Sequence, residues 1–165
     1  MSSLFISYRR GPTEDITYRI AECLRKRFGA DGVFIDIDSI PAGVPFTDLL
    51  VQTLTNCSLT LAIIGPDWVS PRLFQADDLL RQELEISMQH GRPIIPIIVR
   101  GADVPSATAL PPSLQPITQL QSLRVTSGAD PVSRTPDGAS RLRESGTWRS
   151  RESTTPKSSS VTRSA

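Results

Sequence analysis

The sequence predicts an α/β fold in which a five-stranded parallel sheet lies between layers of helices. Short apolar runs alternate along the chain with segments of helical periodicity, which is the pattern of βαβ units. One of these runs, residues 59–64, is almost entirely apolar, as expected of a central strand that is covered on both faces. Such units build a three-layer sandwich with parallel strands.

Each predicted element follows from the spacing of its apolar residues. The predicted strands cover residues 4–6, 33–37, 59–64, 94–99 and 120–125. The predicted helices cover residues 16–28, 46–54 and 77–90, and a glycine follows both the first and the third of them. Pro96 lies inside the fourth predicted strand, which indicates a bulge or a position at the edge of the sheet. The Pro-rich stretch that follows this strand is predicted to contain one helical turn.

The chain of 165 residues has room for one ordinary domain, which we place at residues 1–125. From residue 126 to residue 165 the sequence is mostly Ser, Thr, Arg, Pro and Gly. Such a segment buries too little apolar surface to offset the entropy that is lost on ordering. We therefore expect a disordered tail over residues 126–165 that serves as a solvated linker. A contact of this basic tail with nucleic acid or an acidic partner is the less favoured alternative.

Composition and charge exclude several classes of protein. The formal net charge of +1 gives no general attraction to nucleic acid or to an anionic membrane. The first residues lack the pattern of a signal peptide, and the longest apolar run is too short to span a bilayer. Cys23 and Cys57 cannot form a disulfide framework, so a reducing, cytoplasmic location is expected. No cluster of His, Cys and carboxylates has metal-ligand spacing, and we expect neither a metal nor a bound cofactor.

One carboxylate on the third predicted helix occupies an unusual position. On a helical wheel, Leu79, Leu80 and Leu84 belong to the apolar face, and Glu83 projects between the first two. Glu85 falls on the polar side, where we expect it to be solvated. A carboxylate on an inward face costs free energy unless another group pairs with it or uses it. Two interpretations of Glu83 therefore stay open at this point, catalysis and a structural ion pair.

The predicted sheet also indicates where a ligand would bind. In open parallel sheets, ligands lie outside the carboxyl ends of the strands. That rule points to residues 7–10, 36–45 and 65–68 and to the loop after residue 99. Arg9 lies in the first of these segments and is, like Arg81, a candidate partner for an ion pair with Glu83.

Five segments carry a more specific pattern. They are FISYRR at residues 5–10, VFIDIDSIPAG at 33–43, IIGPDW at 63–68, DLLRQEL at 78–84 and PIIPI at 93–97. In this order and at these spacings they resemble Toll/interleukin-1 receptor (TIR) domains of the bacterial type. The resemblance covers residues 3–125 and implies a flavodoxin-like, three-layer fold with a five-stranded parallel sheet.

The resemblance also implies an activity. Many TIR domains cleave NAD+ between nicotinamide and ribose with one glutamate of the third helix, and its position in the motif corresponds to Glu83. NAD+ is then the substrate and not a cofactor. A carboxylate near the ribose can stabilise an oxocarbenium-like transition state. Water would give ADP-ribose, and an adenine nitrogen would give a cyclic product.

By family position, four residues of the first motif line the nucleotide. They are Phe5, Ser7, Tyr8 and Arg9. Arg9 is expected either to clamp a phosphate or to pair with Asp36. Asp38 is expected either to bind a ribose hydroxyl or to cap the following loop, and the cap is the safer interpretation.

An aromatic residue for nucleotide stacking has no obvious position. Several active members carry a tryptophan four residues before the glutamate, where this chain has Leu79. Trp68, in the loop after the third predicted strand, is expected either to provide the stacking face or to be a packing residue.

The family resemblance implies that activity depends on assembly. The loop at residues 40–45, which contains Pro41, Gly43 and Pro45, is expected to contact a neighbouring TIR domain and complete the site. The implied partners are NAD+, other TIR domains and a sensor module that triggers assembly in bacterial signalling or phage defence.

Two other hypotheses remain open. In the first, the chain is a non-catalytic TIR scaffold that binds other TIR domains in signal transduction. In the second, it is a related flavodoxin-like enzyme that modifies nucleosides, since that glycosidic chemistry also uses a glutamate. The inward position of Glu83 favours catalysis over the scaffold, because a scaffold gains nothing from a carboxylate there.

Overall fold

Strands and helices alternate in the computed structural model, which describes residues 3–35 and 46–126. The strands are β1 (Leu4–Tyr8), β2 (Val33–Ile35), β3 (Leu59–Ile64), β4 (Ile94–Val99) and β5 (Leu123–Val125). The α-helices are α1 (Glu14–Phe28), α2 (Phe46–Asn56) and α3 (Leu79–Gln89). Short 3-10 helices occupy Ala30–Gly32, Pro71–Phe74, Ala107–Ala109 and Pro112–Gln119.

The five strands form one parallel sheet in the order β2-β1-β3-β4-β5. This confirms the predicted α/β fold. The order is that of flavodoxin-like sheets, in which the chain reverses its direction of winding between β1 and β3. Ligands of such sheets bind at the carboxyl ends of the strands beside that reversal. The ends of β1 and β3 are therefore the first place to look for a site.

Different helices cover the two faces of the sheet. On one face α1 packs against alternate residues of the central strands, in a cluster that includes Ile6, Tyr8, Ile16, Ile20 and Ile63. On the other face α3 packs in a cluster that includes Ala62, Ile64, Leu80, Leu84 and Ile98. Leu50 and Leu54 of α2 extend this second layer over Phe5. Because successive strand residues face opposite sides, neighbouring residues of β1 belong to different layers.

β4 lies inside the sheet, so the predicted edge position of Pro96 is wrong. Pro96 pairs in register with Ala62 of β3, whereas the pairing with β5 begins only at Ile97. The second neighbour of β4 thus starts just after the residue that has no N–H to donate. This explains why an internal strand tolerates a proline at this point.

The chain between β4 and β5 contains more helix than the sequence predicts. Two 3-10 helices, Ala107–Ala109 and Pro112–Gln119, replace the single predicted turn, and the second contains Pro116. As a result β5 begins at Leu123 and is shorter than the predicted strand. Prolines lack the N–H that a long α-helix needs, and short 3-10 pieces tolerate them better.

Several predictions fall outside the described residues. They concern the tail, of which only Thr126 is described, and the segment that contains Asp36, Asp38, Pro41, Gly43 and Pro45. Within the described part of the chain, no helix is long and apolar enough to cross a membrane.

Candidate functional site

The polar residues at the carboxyl end of β1 lie where the sheet reverses. Ser7 pairs in register with Ala62 of β3, and Tyr8 pairs with Ile63. Ser7 is completely buried on the face that α3 covers. Tyr8 belongs to the layer of α1, where its ring meets that of Tyr18 edge-on at a centroid distance of 6.3 Å. β1 therefore divides its predicted site residues between the two faces of the sheet.

Glu83 of α3 contacts the carboxyl end of β1. The Ser7 hydroxyl donates a hydrogen bond to Oε2 of Glu83 over a distance of 2.6 Å. Glu83 is partly exposed, whereas Ser7 is fully buried. A short hydrogen bond from a buried hydroxyl thus fixes the position of the carboxylate of a partly exposed residue.

A carboxylate that the sequence analysis did not single out holds Arg9. Nη1 of Arg9 lies 2.7 Å from Oδ2 of Asp78, whose side chain is only 1% exposed. The same carboxylate accepts the backbone N–H of Arg81 over 3.0 Å and so caps the N-terminus of α3. Nε of Arg72 approaches it to 3.6 Å. Among the described residues, Asp78 therefore takes the role for which the sequence suggested Asp36.

Like Ser7, the predicted substrate contacts Phe5 and Trp68 are almost completely buried. Phe5 is completely buried beneath Leu50 and Leu54 of α2. Trp68 is 1% exposed and packs in the cluster that contains Leu73. In this structure Trp68 is a packing residue, and neither ring offers a face to a ligand. A substrate role for either side chain stays a prediction that would require the ring to leave the core.

Leu79 is the first residue of α3 and is 41% exposed. The expectation that it belongs to the apolar face is therefore wrong. A crossover helix begins beyond the carboxyl end of the preceding strand, so its first turn lies at the rim of the sheet. Leu79 comes one turn before Glu83 on the same side of the helix and so flanks it at the surface.

Glu85 lies on the other side of α3 and is bound by two groups. Nε of Arg81 donates to Oε1 of Glu85 over 2.6 Å, and the Ser113 hydroxyl donates to the same oxygen over 2.5 Å. Burial alone would raise the pKa of Glu85, but the hydrogen bonds from Ser113 and Arg81 and the charge of Arg81 outweigh burial and lower the pKa. The expectation that Glu85 is simply solvated is therefore wrong, because it ties α3 to the 3-10 helix Pro112–Gln119.

Two cavities lie at the carboxyl ends of the strands. One of about 470 Å³ is lined by the loops after β3 and β4, including Gly65 and Asp103. The other, of about 370 Å³, is lined by the ends of β4 and β5, including Arg100 and Arg124. Neither lining includes Glu83. Within residues 3–35 and 46–126, no group of three His, Cys, Asp or Glu side chains could hold a metal ion.

The sheet order defines a doubly wound α/β domain, and Glu83 is a partly exposed glutamate beside the reversal of the sheet. A family model described as the TIR domain matches residues 4–135. Because this match covers far more than half of the chain, the chain belongs to the TIR domain family. The bacterial type stays a prediction from the motifs. None of the curated proteins matches the chain significantly.

Solved structures with similar folds include three of different kinds. The TIR domains of the activated Roq1 resistosome, which directly recognises the pathogen effector XopQ, match with a TM-score of 0.57 at 10% identity over 87% of this chain and 96% of that one. A metazoan TIR-STING receptor from C. gigas matches with a TM-score of 0.48 at 17% identity, over 70% of this chain but 35% of the receptor. The CMP N-glycosidase BcmB of Clostridium botulinum matches with a TM-score of 0.45 at 16% identity, over 78% and 91% of the two chains. At these identities the similarity concerns the fold alone.

Proposed function

We propose that this TIR domain cleaves NAD+ at the bond between nicotinamide and ribose, with Glu83 as the catalytic carboxylate. The observation that carries the proposal is the short hydrogen bond by which the buried Ser7 hydroxyl holds Glu83 at the end of β1. A carboxylate directed toward a sheet costs free energy unless another group pairs with it, as Ser7 does here, or uses it. The glutamate to which the family resemblance assigns catalysis is thus the one beside the sheet reversal, where ligands of such folds bind.

The proposed chemistry needs one well-placed negative charge. Nicotinamide leaves as a neutral molecule when its bond to C1′ of the ribose breaks, so no strong general acid is required. Positive charge develops on the ribose ring, and the Glu83 carboxylate stabilises that charge electrostatically. Water then attacks C1′ and loses a proton, which gives nicotinamide and ADP-ribose. Attack by an adenine nitrogen of the same molecule gives a cyclic product instead.

The diphosphate of NAD+ would meet arginines near the N-terminus of α3. Arg9 is bound to Asp78, and the Arg72 side chain, which is 68% exposed, approaches the same carboxylate. Two arginines beside one buried aspartate leave a net positive charge, and the helix N-terminus adds to it. In this proposal Arg9 contacts a phosphate and Asp78 orients its guanidinium.

Assembly of several copies is the second part of the proposal. Glu83 lines neither of the two cavities at the carboxyl ends of the strands. A neighbouring copy would complete the site with its loop at residues 40–45. A sensor module would trigger this assembly in bacterial signalling or phage defence. A reducing cytoplasm suits Cys23 and Cys57, which are both free thiols.

Nicotinamide release from NAD+ tests the proposal. The full chain is assayed at high concentration and again with copies tethered into assemblies, and chromatography separates ADP-ribose from cyclic products. The wild-type chain is expected to release nicotinamide, whereas Glu83→Gln is expected to release it about 10²–10³-fold more slowly. An assembled wild-type chain that leaves NAD+ intact would reject the proposal.

The non-catalytic scaffold is the second candidate, and one observation favours it. Leu79 occupies the exposed position beside Glu83 where several active members carry a tryptophan, and the rings of Phe5 and Trp68 are buried. A scaffold predicts that Glu83→Gln self-associates as the wild-type chain does, while neither protein consumes NAD+. Light scattering beside the nicotinamide assay separates the two functions.

A further inference from the structure

A pair of buried hydroxyls joins α3 to β3 one turn beyond Glu83. Ser87 comes one turn after Glu83 on the same side of the helix and is completely buried. Its Oγ lies 2.9 Å from Oγ1 of Thr60, a completely buried residue of β3. The Ser87 hydroxyl also donates to the backbone carbonyl of Glu83 over 2.8 Å.

The direction of this hydrogen-bond chain follows from the number of protons. A serine hydroxyl has one hydrogen to donate. Because Ser87 donates it to the carbonyl of Glu83, the hydrogen between the two hydroxyls belongs to Thr60. The chain therefore runs from Thr60 in β3, through Ser87, to the backbone of Glu83.

Glu83 is thus held from two neighbouring strands. β1 holds its carboxylate through Ser7, and β3 holds its backbone through Thr60 and Ser87. β1 and β3 are the two strands between which the winding of the sheet reverses. Apolar side chains would let a helix slide or rotate slightly on a sheet, whereas directed hydrogen bonds in a buried setting specify one position.

We propose that Ser7, Thr60 and Ser87 are positioning residues that fix the Glu83 carboxylate for the cleavage reaction, an inference that rests on the proposed function of Glu83. Ser7 is completely buried, so it acts through Glu83 and not by touching the nucleotide. Buried hydroxyl pairs give little net stability, since apolar groups of the same shape can replace both partners at almost no cost. The geometry that Thr60 and Ser87 impose therefore explains this hydroxyl pair better than stability does.

Two variants remove separately the hydrogen bond from Ser7 and the hydrogen bonds through Thr60 and Ser87. Ser7→Ala deletes the donor to the carboxylate. Thr60→Val combined with Ser87→Ala replaces the buried pair by apolar groups of similar shape, so thermal unfolding is expected to occur at the same or a higher temperature. Neither variant changes a charged group on the surrounding elements, among them Arg9 after β1, Asp48 on α2, Asp78 at the N-cap of α3, and Arg81 and Glu85 on α3.

The readout is the NMR titration of the Glu83 carboxyl in the full chain, with Glu85 as the internal reference. A hydrogen bond to the charged form favours that form, so Ser7→Ala is expected to raise the titration midpoint of Glu83 by about one unit. The double variant is expected to raise it by less, because the helix then holds the carboxylate less firmly against Ser7. The titration of Glu85, on the opposite flank, is expected to stay unchanged in both. If Ser7→Ala does not fold, the double variant decides.

An unchanged midpoint of Glu83 in the variants that fold overturns the proposal, whether or not the chain consumes NAD+. A shifted midpoint in a chain without NAD+ cleavage supports the positioning of Glu83 and rejects the proposed function alone. Where NAD+ is cleaved, the double variant is expected to lower kcat about tenfold at an unchanged KM. A loss of rate that only follows the loss of folded protein would mean a structural role and would reject positioning.

Discussion

The two flanks of α3 each carry a glutamate, and the two carboxylates have different partners. Glu83 faces β1, where the buried Ser7 hydroxyl holds one of its oxygens. Glu85 faces the 3-10 helix Pro112–Gln119 and is bound by Arg81 and Ser113. One flank thus joins two structural elements, and the other brings a carboxylate to the edge where such sheets bind ligands. The comparison teaches that position relative to the sheet, and not residue type or helix, separates a structural carboxylate from a candidate catalytic one.

The largest expected effect on stability concerns Leu84, which lies between Glu83 and Glu85 in α3. Leu84 is completely buried, so Leu84→Ala is expected to lower the free energy of unfolding by about 2–5 kcal/mol. The matched control is Leu79→Ala, at the exposed start of α3, which is expected to change it by about 0.5 kcal/mol or less. Urea unfolding measures both. Equal losses of stability in the two variants would contradict the buried position of Leu84 and the exposed position of Leu79.

A smaller effect on stability is expected at the N-terminus of α3, where Asp78 caps the helix and binds Arg9. Asp78→Ala removes the helix cap and leaves Arg9 without its carboxylate, so we expect a loss of about 2–3 kcal/mol. Asp78→Asn keeps an oxygen that can cap the helix and is expected to lose less. Asp77→Ala, at the exposed neighbour, serves as the control. Thermal unfolding of Asp78→Ala at the wild-type temperature would contradict this role.

The smallest expected effect is the pH dependence of the stabilisation that Glu85 contributes. The pKa of Glu85 is lowered from its ordinary value of 4.5 in the folded chain. Its ionised form therefore stabilises the fold above the unfolded pKa, and this stabilisation is lost as the pH falls through the lower, folded pKa. Glu85→Gln is expected to be less stable than the wild-type chain at pH 7, with a difference that shrinks in acid. A difference that does not vary with pH would show that the ion pair with Arg81 contributes nothing.

The sequence predicted the fold well because apolar periodicity reports burial directly. β3 and β4 have the predicted bounds, and α1 ends where Gly29 takes a φ of 89° that other residues rarely adopt. The position of Pro96 was missed because a pattern along one strand does not report where its second neighbour begins. The exposure of Leu79 was missed because a helical wheel assumes cover along the whole helix.

The candidate site was predicted only in part. Glu83 was singled out because a carboxylate interrupts a leucine stripe, and its role as the site residue stays a prediction. Asp78 was missed, although an aspartate directly before an apolar helix is a recognised N-cap signal. Thr60 and Ser87 gave no signal at all, since small hydroxyl residues within apolar segments are common and their partner lies on another element. Residues that pair in this way in the folded protein are not separated by any fixed spacing in the sequence.

The most direct test of the account compares the two glutamates in one assay. Glu83→Gln and Glu85→Gln are matched for folded fraction, and nicotinamide release from NAD+ is measured for both beside the assembled wild-type chain. We predict that Glu83→Gln loses about 10²–10³-fold in rate, as expected when one electrostatic stabiliser of a transition state is removed. Glu85→Gln is predicted to stay within about threefold of the wild-type rate, a difference worth less than 1 kcal/mol. Equal losses in the two variants, or a Glu83→Gln chain that releases nicotinamide at nearly the wild-type rate, would contradict the assignment of Glu83 as the catalytic carboxylate.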